Sequence, residues 1–188
     1  MNSNWKRISQ LLVFGVILAV TPVLAWANGG DQGSNVPAAG SDTYIAQKVG
    51  HELVMLPYYN VFDNLEYRVN GYNVELFGQV TNPVLKSDAE NVVKHVEGVE
   101  HVTNNIEVLP LSTMDWRIRR AEYRAVFGHG SLYRYAMGAN PSIHIIVDNG
   151  HVTLVGAVAN EMDKNLANIQ ANSVPGVFSV TNDLQVAG

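Results

Sequence analysis

The chain has 188 residues, of which 47% are hydrophobic and 15% charged, and its formal net charge is -5. This composition is too hydrophobic and too weakly charged for a chain that is disordered throughout. The acidic balance argues against generic nucleic-acid binding, which needs a basic face. The absence of cysteine excludes disulfides, thiolate metal sites and cysteine nucleophiles. What remains is a globular protein whose function we expect to be binding.

The first 27 residues have the pattern of a secretory signal peptide. The basic pair Lys6-Arg7 precedes an apolar run over 11–24, and the small-x-small tripeptide Ala25-Trp26-Ala27 follows. The run is shorter than the ~20 residues of a membrane span and contains Pro22. We expect cleavage after Ala27 and no membrane span in the mature chain. Because no cysteine follows, we also expect no lipoprotein processing. Loss of Lys6 and Arg7 brings the formal net charge to -7.

Residues 28–41 consist mainly of small and polar residues and predict a flexible leader. Beyond them the chain contains a tandem duplication, because a shift of 78 residues aligns 72–83 with 150–161 and 96–108 with 174–186 without a gap. Many positions are identical in both copies: Val74/Val152, Leu76/Leu154, Gly78/Gly156, Val80/Val158, Asn82/Asn160, Gly98/Gly176, Val99/Val177, Val102/Val180, Thr103/Thr181 and Asn104/Asn182.

The first copy, 42–109, alternates between helical and strand periodicity. Asp42 is placed to cap a helix with apolar residues every fourth position, from Ile45 to Leu53. Alternating strands flank a tight turn at Asn70-Gly71. A second helix spans roughly 84–96, Gly98 is placed to end it, and a last strand covers 102–108.

The second copy, 115–187, repeats the scheme after a linker at 110–114. A helix runs from about Asp115 to Phe127, and the turn pair Asn149-Gly150 sits one residue later than in the first copy. The order helix-strand-strand-helix-strand therefore occurs twice. We predict an α+β fold of two tandem αββαβ modules, each a three-stranded mixed sheet covered on one face by two helices.

These residues resemble the BON family (bacterial OsmY and nodulation domain). The resemblance lies in Val74-x-Leu76-x-Gly78-x-Val80 with Gly98 to Asn104, and in Val152-x-Leu154-x-Gly156-x-Val158 with Gly176 to Asn182. The pattern is plainest outside the first part of copy two, where Arg119-Arg120 and the aromatic insert 133–139 depart from it.

The resemblance implies an αββαβ fold and non-catalytic roles. It implies association with phospholipid surfaces, envelope integrity and a response to osmotic stress. With the signal peptide, it also implies a periplasmic protein. An alternative from another class is a periplasmic protein-interaction or chaperone-like module that uses sheet edges or the contact between modules. A nucleic-acid role like that of KH domains is disfavoured, since the chain is acidic and lacks a G-x-x-G loop between helices.

One stretch combines arginines with aromatic residues. Arg117, Arg120 and Arg124 follow i, i+3, i+7 and share one helix face. Such a basic strip with interfacial aromatics suits an anionic lipid surface. The alternative is a solvated face, or arginines that pair with acids of the other module. The candidate lipid- or anion-binding residues are Trp116, Arg117, Arg120, Arg124, Tyr133 and Arg134. The same stretch also contains Arg119, Tyr123, Phe127 and Tyr135.

Other residues point to structure rather than chemistry. Asn104 and Asn182 fall on the inward parity of the last strand, so each amide is expected to bond to backbone. Gly78 and Gly156 indicate a close backbone approach or a bulge.

No catalytic, metal or cofactor site is predicted. The histidines lack ligand spacing, and Gly128-His129-Gly130-Ser131 lacks the G-x-S-x-G pattern of a nucleophile. The six histidines are His51, His95, His101, His129, His144 and His151.

Overall fold

The computed structural model describes residues 40–138 and 140–187. The expected signal peptide, 1–27, and nearly all of the expected leader lie outside these residues. The described chain contains two copies of one arrangement, which we call module one and module two. This confirms the predicted α+β fold of two repeated modules.

Module one runs from Asp42 to Leu109. Its elements are α1 (Asp42–Val54), β1 (Asn64–Asn70), β2 (Asn73–Val80), α2 (Pro83–Lys94), β3 (His101–Asn104) and β4 (Glu107–Val108). The hairpin β1–β2 is antiparallel, and β3 and β4 both pair parallel with β2. The predicted third strand is therefore present but is interrupted at Asn105 and Ile106, which gives a mixed sheet with β2 at its centre.

Module two repeats this topology. Its elements are α3 (Thr113–Phe127), a 3-10 helix (Tyr133–Ala136), β5 (Ile143–Asp148), β6 (His151–Val158), α4 (Glu161–Asn172), β7 (Ser179–Asn182) and β8 (Gln185–Val186). β5 pairs antiparallel with β6, and β7 and β8 pair parallel with β6. The helix α3 begins at Thr113, inside the stretch expected to be a linker, because Ser112 caps it by accepting a hydrogen bond from the Asp115 N–H.

Each module buries its core between the sheet and two helices. Every fourth residue of α1 is buried, as the sequence predicts, and the same spacing is buried on α3. The inward residues of the central strand complete each core, and they are Val74, Leu76 and Val80 in module one and Val152, Leu154 and Val158 in module two. The packing thus follows the periodicity of the sequence.

Both hairpins close with two residues but use different turns. In module two Asn149 and Gly150 have φ of 49° and 80°, as a type I′ turn requires. In module one the turn residues are Gly71 and Tyr72, because Asn70 still pairs with Asn73, and only Gly71 has positive φ. The displaced Asn-Gly pair therefore changes the turn and leaves the strand register intact.

Two local predictions differ from the structure. The N-cap of α1 is Ser41, whose hydroxyl accepts a hydrogen bond from the Tyr44 N–H, and Asp42 is the first helical residue. Gly98 does not end α2, which stops at Lys94 with His95 as its C-cap. Instead, Gly98 has φ of 92° in the turn closed by the Val99 N–H and the Val96 carbonyl. Gly176 has a similar φ of 93°.

The modules touch through the segment Leu56–Asp63 between α1 and β1, which we call the docking loop. The Ile145 N–H of β5 donates to the Val61 carbonyl at 2.8 Å, and the Val61 side chain is buried in the core of module two. Tyr59 stacks on His144 with ring centroids 5.4 Å apart. The docking loop thus covers the outer edge of β5, and all residues from Ile143 to Val147 are buried.

Candidate functional site

The outer face of α3 carries three exposed arginines, Arg117, Arg120 and Arg124. At 100° per residue these positions lie within about one sixth of the helix circumference, opposite the buried stripe. The ion pairs within 40–138 and 140–187 lie elsewhere, and no carboxylate oxygen of these residues lies within 4.0 Å of a guanidinium nitrogen of the three arginines. Their charges therefore face solvent together.

An aromatic cluster lies beside this arginine face. Trp116 and Tyr123, two turns apart on α3, are 50% and 41% exposed. Phe62 of the docking loop lies edge-on to both, with ring centroids 6.2 Å from Trp116 and 6.4 Å from Tyr123. We call Phe62, Trp116 and Tyr123 the α3 aromatic cluster. It combines residues of both modules.

The opposite face of α3 is buried and carries charged residues of its own. Arg119, part of the predicted basic stretch, lies in the interior, where its Nη2 donates to the Val147 carbonyl at 2.6 Å. Burial lowers the pKa of Arg119. Asp115 accepts hydrogen bonds from the backbone N–H groups of Asn149 and Gly150, which ties the start of α3 to the hairpin turn.

Glu122 is a buried carboxyl group in the core of module two. It is 0% exposed, and neither carboxyl oxygen has a hydrogen-bond partner among the described residues. Burial raises the pKa of Glu122 to about 8 because desolvation disfavours the charged form. At neutral pH the group is therefore mostly uncharged and does not offset the arginines on the outer face of the same helix.

The remaining predicted site residues lie on the 3-10 helix after α3. Tyr133 is 60% exposed. Arg134 pairs with Asp163 and also donates to the Tyr135 hydroxyl at 2.7 Å. Hydrogen bonds from Tyr135 and Arg134 hold the pKa of Asp163 below its ordinary value. Arg134 thus has a structural partner, whereas the three arginines of α3 have no ion-pair partner among the residues that the structure describes.

The repeated glycines and asparagines have structural surroundings. Gly78 and Gly156 have φ of 109° and 117°, and a Cβ on either would overlap a backbone carbonyl of the neighbouring strand segment. The Asn104 side chain donates to the Lys86 carbonyl at 2.8 Å and accepts from the Ile106 N–H. Asn182 makes the same pair of bonds, to Lys164 and Leu184. These amides join the last strand to the second helix of each module.

Sequence reasoning missed Phe62 and Glu122. The signal for Phe62 was the stretch from Tyr58 to Phe62 between a helix and a strand, in which only Asn60 is polar, a composition unusual for a solvated loop. The signal for Glu122 was its spacing four residues from both Ile118 and Val126, in the middle of the buried stripe.

Within residues 40–138 and 140–187, no helix is long and apolar enough to cross a membrane. In the same part of the chain, no three His, Asp or Glu side chains gather as metal ligands.

A family model described as BON domain matches residues 41–110 and 134–188, which is more than half of the chain. The chain belongs to the BON domain family. BON domains are binding modules without catalytic activity of their own, and they occur often in periplasmic envelope proteins. The second match begins at Arg134, so α3 and its arginine face lie between the two matched BON segments.

Solved structures similar to this BON protein include two chains of CdsD, a structural protein of the type III secretion system of Chlamydia trachomatis. One is 13% identical with a TM-score of 0.30, covering 76% of this chain and 93% of that one. The other, the C-terminal domain, is 15% identical with a TM-score of 0.29, covering 77% and 98%. No curated protein matches the chain.

Proposed function

We propose that this BON protein binds peripherally to anionic phospholipid surfaces of the cell envelope through the outer face of α3, and that it protects the envelope under osmotic or related stress. The observation that carries the proposal is the juxtaposition of Arg117, Arg120 and Arg124 with the half-exposed rings of Trp116 and Tyr123. Membership in a family of binding modules frequent in the periplasm supports the cellular setting.

The chemistry of the face fits a bilayer interface. Each basic residue near an anionic membrane contributes ~1 kcal/mol, so three arginines correspond to roughly a hundredfold gain in partition. Trp and Tyr favour the headgroup region, where one end of the ring is apolar and the other wet. The expected mature chain has a net charge of -7, so an anionic membrane repels the protein as a whole. Salt screens charges that lie more than about 10 Å from the membrane. The attraction therefore comes from the arginine face of α3 alone.

Co-sedimentation with vesicles tests this proposal. Wild type is expected to sediment with phosphatidylglycerol vesicles at low salt, to be released at high salt, and to stay soluble with phosphatidylcholine vesicles. The triple variant Arg117→Glu/Arg120→Glu/Arg124→Glu is expected to lose this binding. A matched control, Lys48→Glu/Lys86→Glu/Lys94→Glu, changes the net charge equally on module one and is expected to bind nearly as wild type does. Equal sedimentation of both triple variants contradicts the proposal.

The proposed location is the periplasm, supported by the pattern of residues 1–27. When the sequence is expressed from Met1, the protein is expected in the periplasmic fraction with Asn28 as its first residue. N-terminal sequencing of that fraction checks this. A chain that retains Met1 and stays in the cytoplasm contradicts it.

A further inference from the structure

We propose that Phe62 is a positioning residue through which module one arranges the lipid-contacting rings of module two. The inference rests on the proposed function, because it assigns a role at the same face of α3. It adds to the proposed function that residues of both modules form the binding surface. The relationship that carries it is the edge-on packing of Phe62 against both Trp116 and Tyr123.

The docking loop is rigidly attached to module one at the residue after Phe62. One carboxylate oxygen of Asp63 accepts from the N–H and hydroxyl of Thr81, at 2.6 and 2.7 Å. The other accepts from the N–H and side-chain amide of Asn60, at 3.1 and 2.6 Å. Asp63 is completely buried, and four hydrogen bonds satisfy its charge. The turn that presents Phe62 is therefore fixed.

The Phe62 backbone is held within the same turn. Its N–H donates to the Asn60 side-chain oxygen at 2.9 Å, which closes an Asx turn. On the side of module two, the Val61 carbonyl accepts from the Ile145 N–H, and the Val61 side chain fills the core. Contacts with both modules thus hold the Phe62 backbone in place, and the Phe62 ring packs against α3.

Phe62 packs against both Trp116 and Tyr123, and Tyr123 also packs on Phe127, with ring centroids 5.0 Å apart. Trp116 and Tyr123 are seven residues apart on α3, about 10.5 Å along the helix axis. The Phe62 ring makes interplanar angles of 71° and 65° with them, the edge-to-face geometry that aromatic pairs prefer. By restricting both exposed rings before binding, Phe62 reduces the ordering cost that they otherwise meet at the membrane.

Phe62 is expected to affect the position of the Trp116 and Tyr123 rings and to leave the charge of the surface unchanged. Replacement of Phe62 with leucine keeps an apolar side chain against α3 but removes both edge-to-face contacts. Partition onto anionic vesicles is expected to fall by roughly tenfold, as the strength of aromatic pairs suggests. The salt dependence is expected to stay the same, because the arginines remain in place.

The experiment uses the processed chain that begins at Asn28, in which Trp116 is the single tryptophan. Phe62→Leu, Phe62→Met and Phe62→Tyr are compared in this background, with melting temperature as the check on folding. With vesicles of phosphatidylglycerol and brominated lipid, the leucine and methionine variants are expected to partition more weakly and to show less quenching of Trp116. The tyrosine variant, which restores a ring, is expected to behave as the parent chain does. If leucine unfolds the chain, methionine, which is flexible and of similar size, carries the test.

Two outcomes separate this inference from the function on which it rests. If the parent chain itself does not bind vesicles, the proposed function is wrong. Acrylamide quenching and anisotropy of Trp116 in vesicle-free solution then still test positioning, since Phe62→Leu is expected to raise both the accessibility and the mobility of the ring. If folded Phe62→Leu and Phe62→Met match the parent chain in partition, quenching and anisotropy, the positioning role is overturned.

Discussion

Glu122 of module two occupies the position that Val49 occupies in module one. On α1 the buried stripe is Ile45, Val49 and Leu53, and on α3 the corresponding stripe is Ile118, Glu122 and Val126. A duplicated core has thus acquired a carboxyl group at its centre in one copy only. Since that group has no hydrogen-bond partner among the described residues, its cost should appear in the stability of the protein.

Stability is expected to fall as pH rises from about 4.5 to 8. In this window the folded protein holds the Glu122 proton, because burial raises its pKa to about 8, while the unfolded chain has already lost it. The folded state therefore binds more protons, so the contribution is fully present below pH 4.5 and lost as pH approaches 8. The slope reaches at most about 1.4 kcal/mol per pH unit. Urea unfolding at several pH values measures it.

Glu122→Gln provides the comparison, because it removes the titration and keeps the size of the side chain. The difference between wild type and this variant is expected to grow with pH, while all other titrations cancel. Glu97→Gln, at an exposed residue, is the matched control and should leave the curve unchanged. A pH-independent difference between wild type and Glu122→Gln contradicts the prediction.

Asp115→Ala is expected to destabilise the protein much more than Asp42→Ala. Both residues lie in the first turn of their helix and accept from the hairpin turn. Asp115, however, is buried and accepts from two N–H groups at 3.1 and 2.8 Å, whereas Asp42 is exposed and accepts from one at 3.4 Å. Loss of buried, charge-assisted bonds costs about 3 kcal/mol for Asp115 and less than about 1 for Asp42. Urea unfolding of the two variants measures the free energy of unfolding that each loses. Equal losses would contradict the larger role given to Asp115.

The sequence predicted the repeated fold because each element has a clear hydrophobic period and the duplication doubles the signal. It also placed Trp116, Arg117, Arg120 and Arg124 on one helix, and the structure puts the three arginines on its outer face. The i, i+3, i+7 spacing left Arg119 off that face, but it could not show that Arg119 is buried, since the width of the buried stripe depends on the packing partner.

The periodicity of the sequence could not predict that module one contributes a residue to the site. Phe62 reaches α3 only because the docking loop crosses to the other module, and such a contact joins residues more than fifty positions apart. The split of the last strand likewise follows from a tertiary cause. Asn104 turns its amide to the Lys86 carbonyl and the Ile106 N–H, which interrupts the ladder between β3 and β4.

Gly78→Ala and Gly156→Ala are each expected to cost more than about 2 kcal/mol. Positive φ at both positions strains any side chain, and a Cβ would overlap the carbonyl of Asn64 or of Ser142. Gly130→Ala is the control, since its Cβ would meet nothing within 4 Å. Thermal unfolding of the three variants checks the order. Tolerance of Gly78→Ala at the level of the control would show that the strand can shift.

Val61→Ala, a change in module one, is expected to loosen module two. The Val61 side chain is buried in the core of module two, and its carbonyl accepts the Ile145 N–H. Truncation opens space in that core and weakens the docking of the loop, at a cost of about 2 kcal/mol. In hydrogen exchange the Ile145 amide and its neighbours on β5 are expected to lose protection. Val99→Ala, at a valine packed on the core of module one, should loosen module one while sparing β5. If Val61→Ala instead lowers protection only in module one, the docking loop is not part of the core of module two.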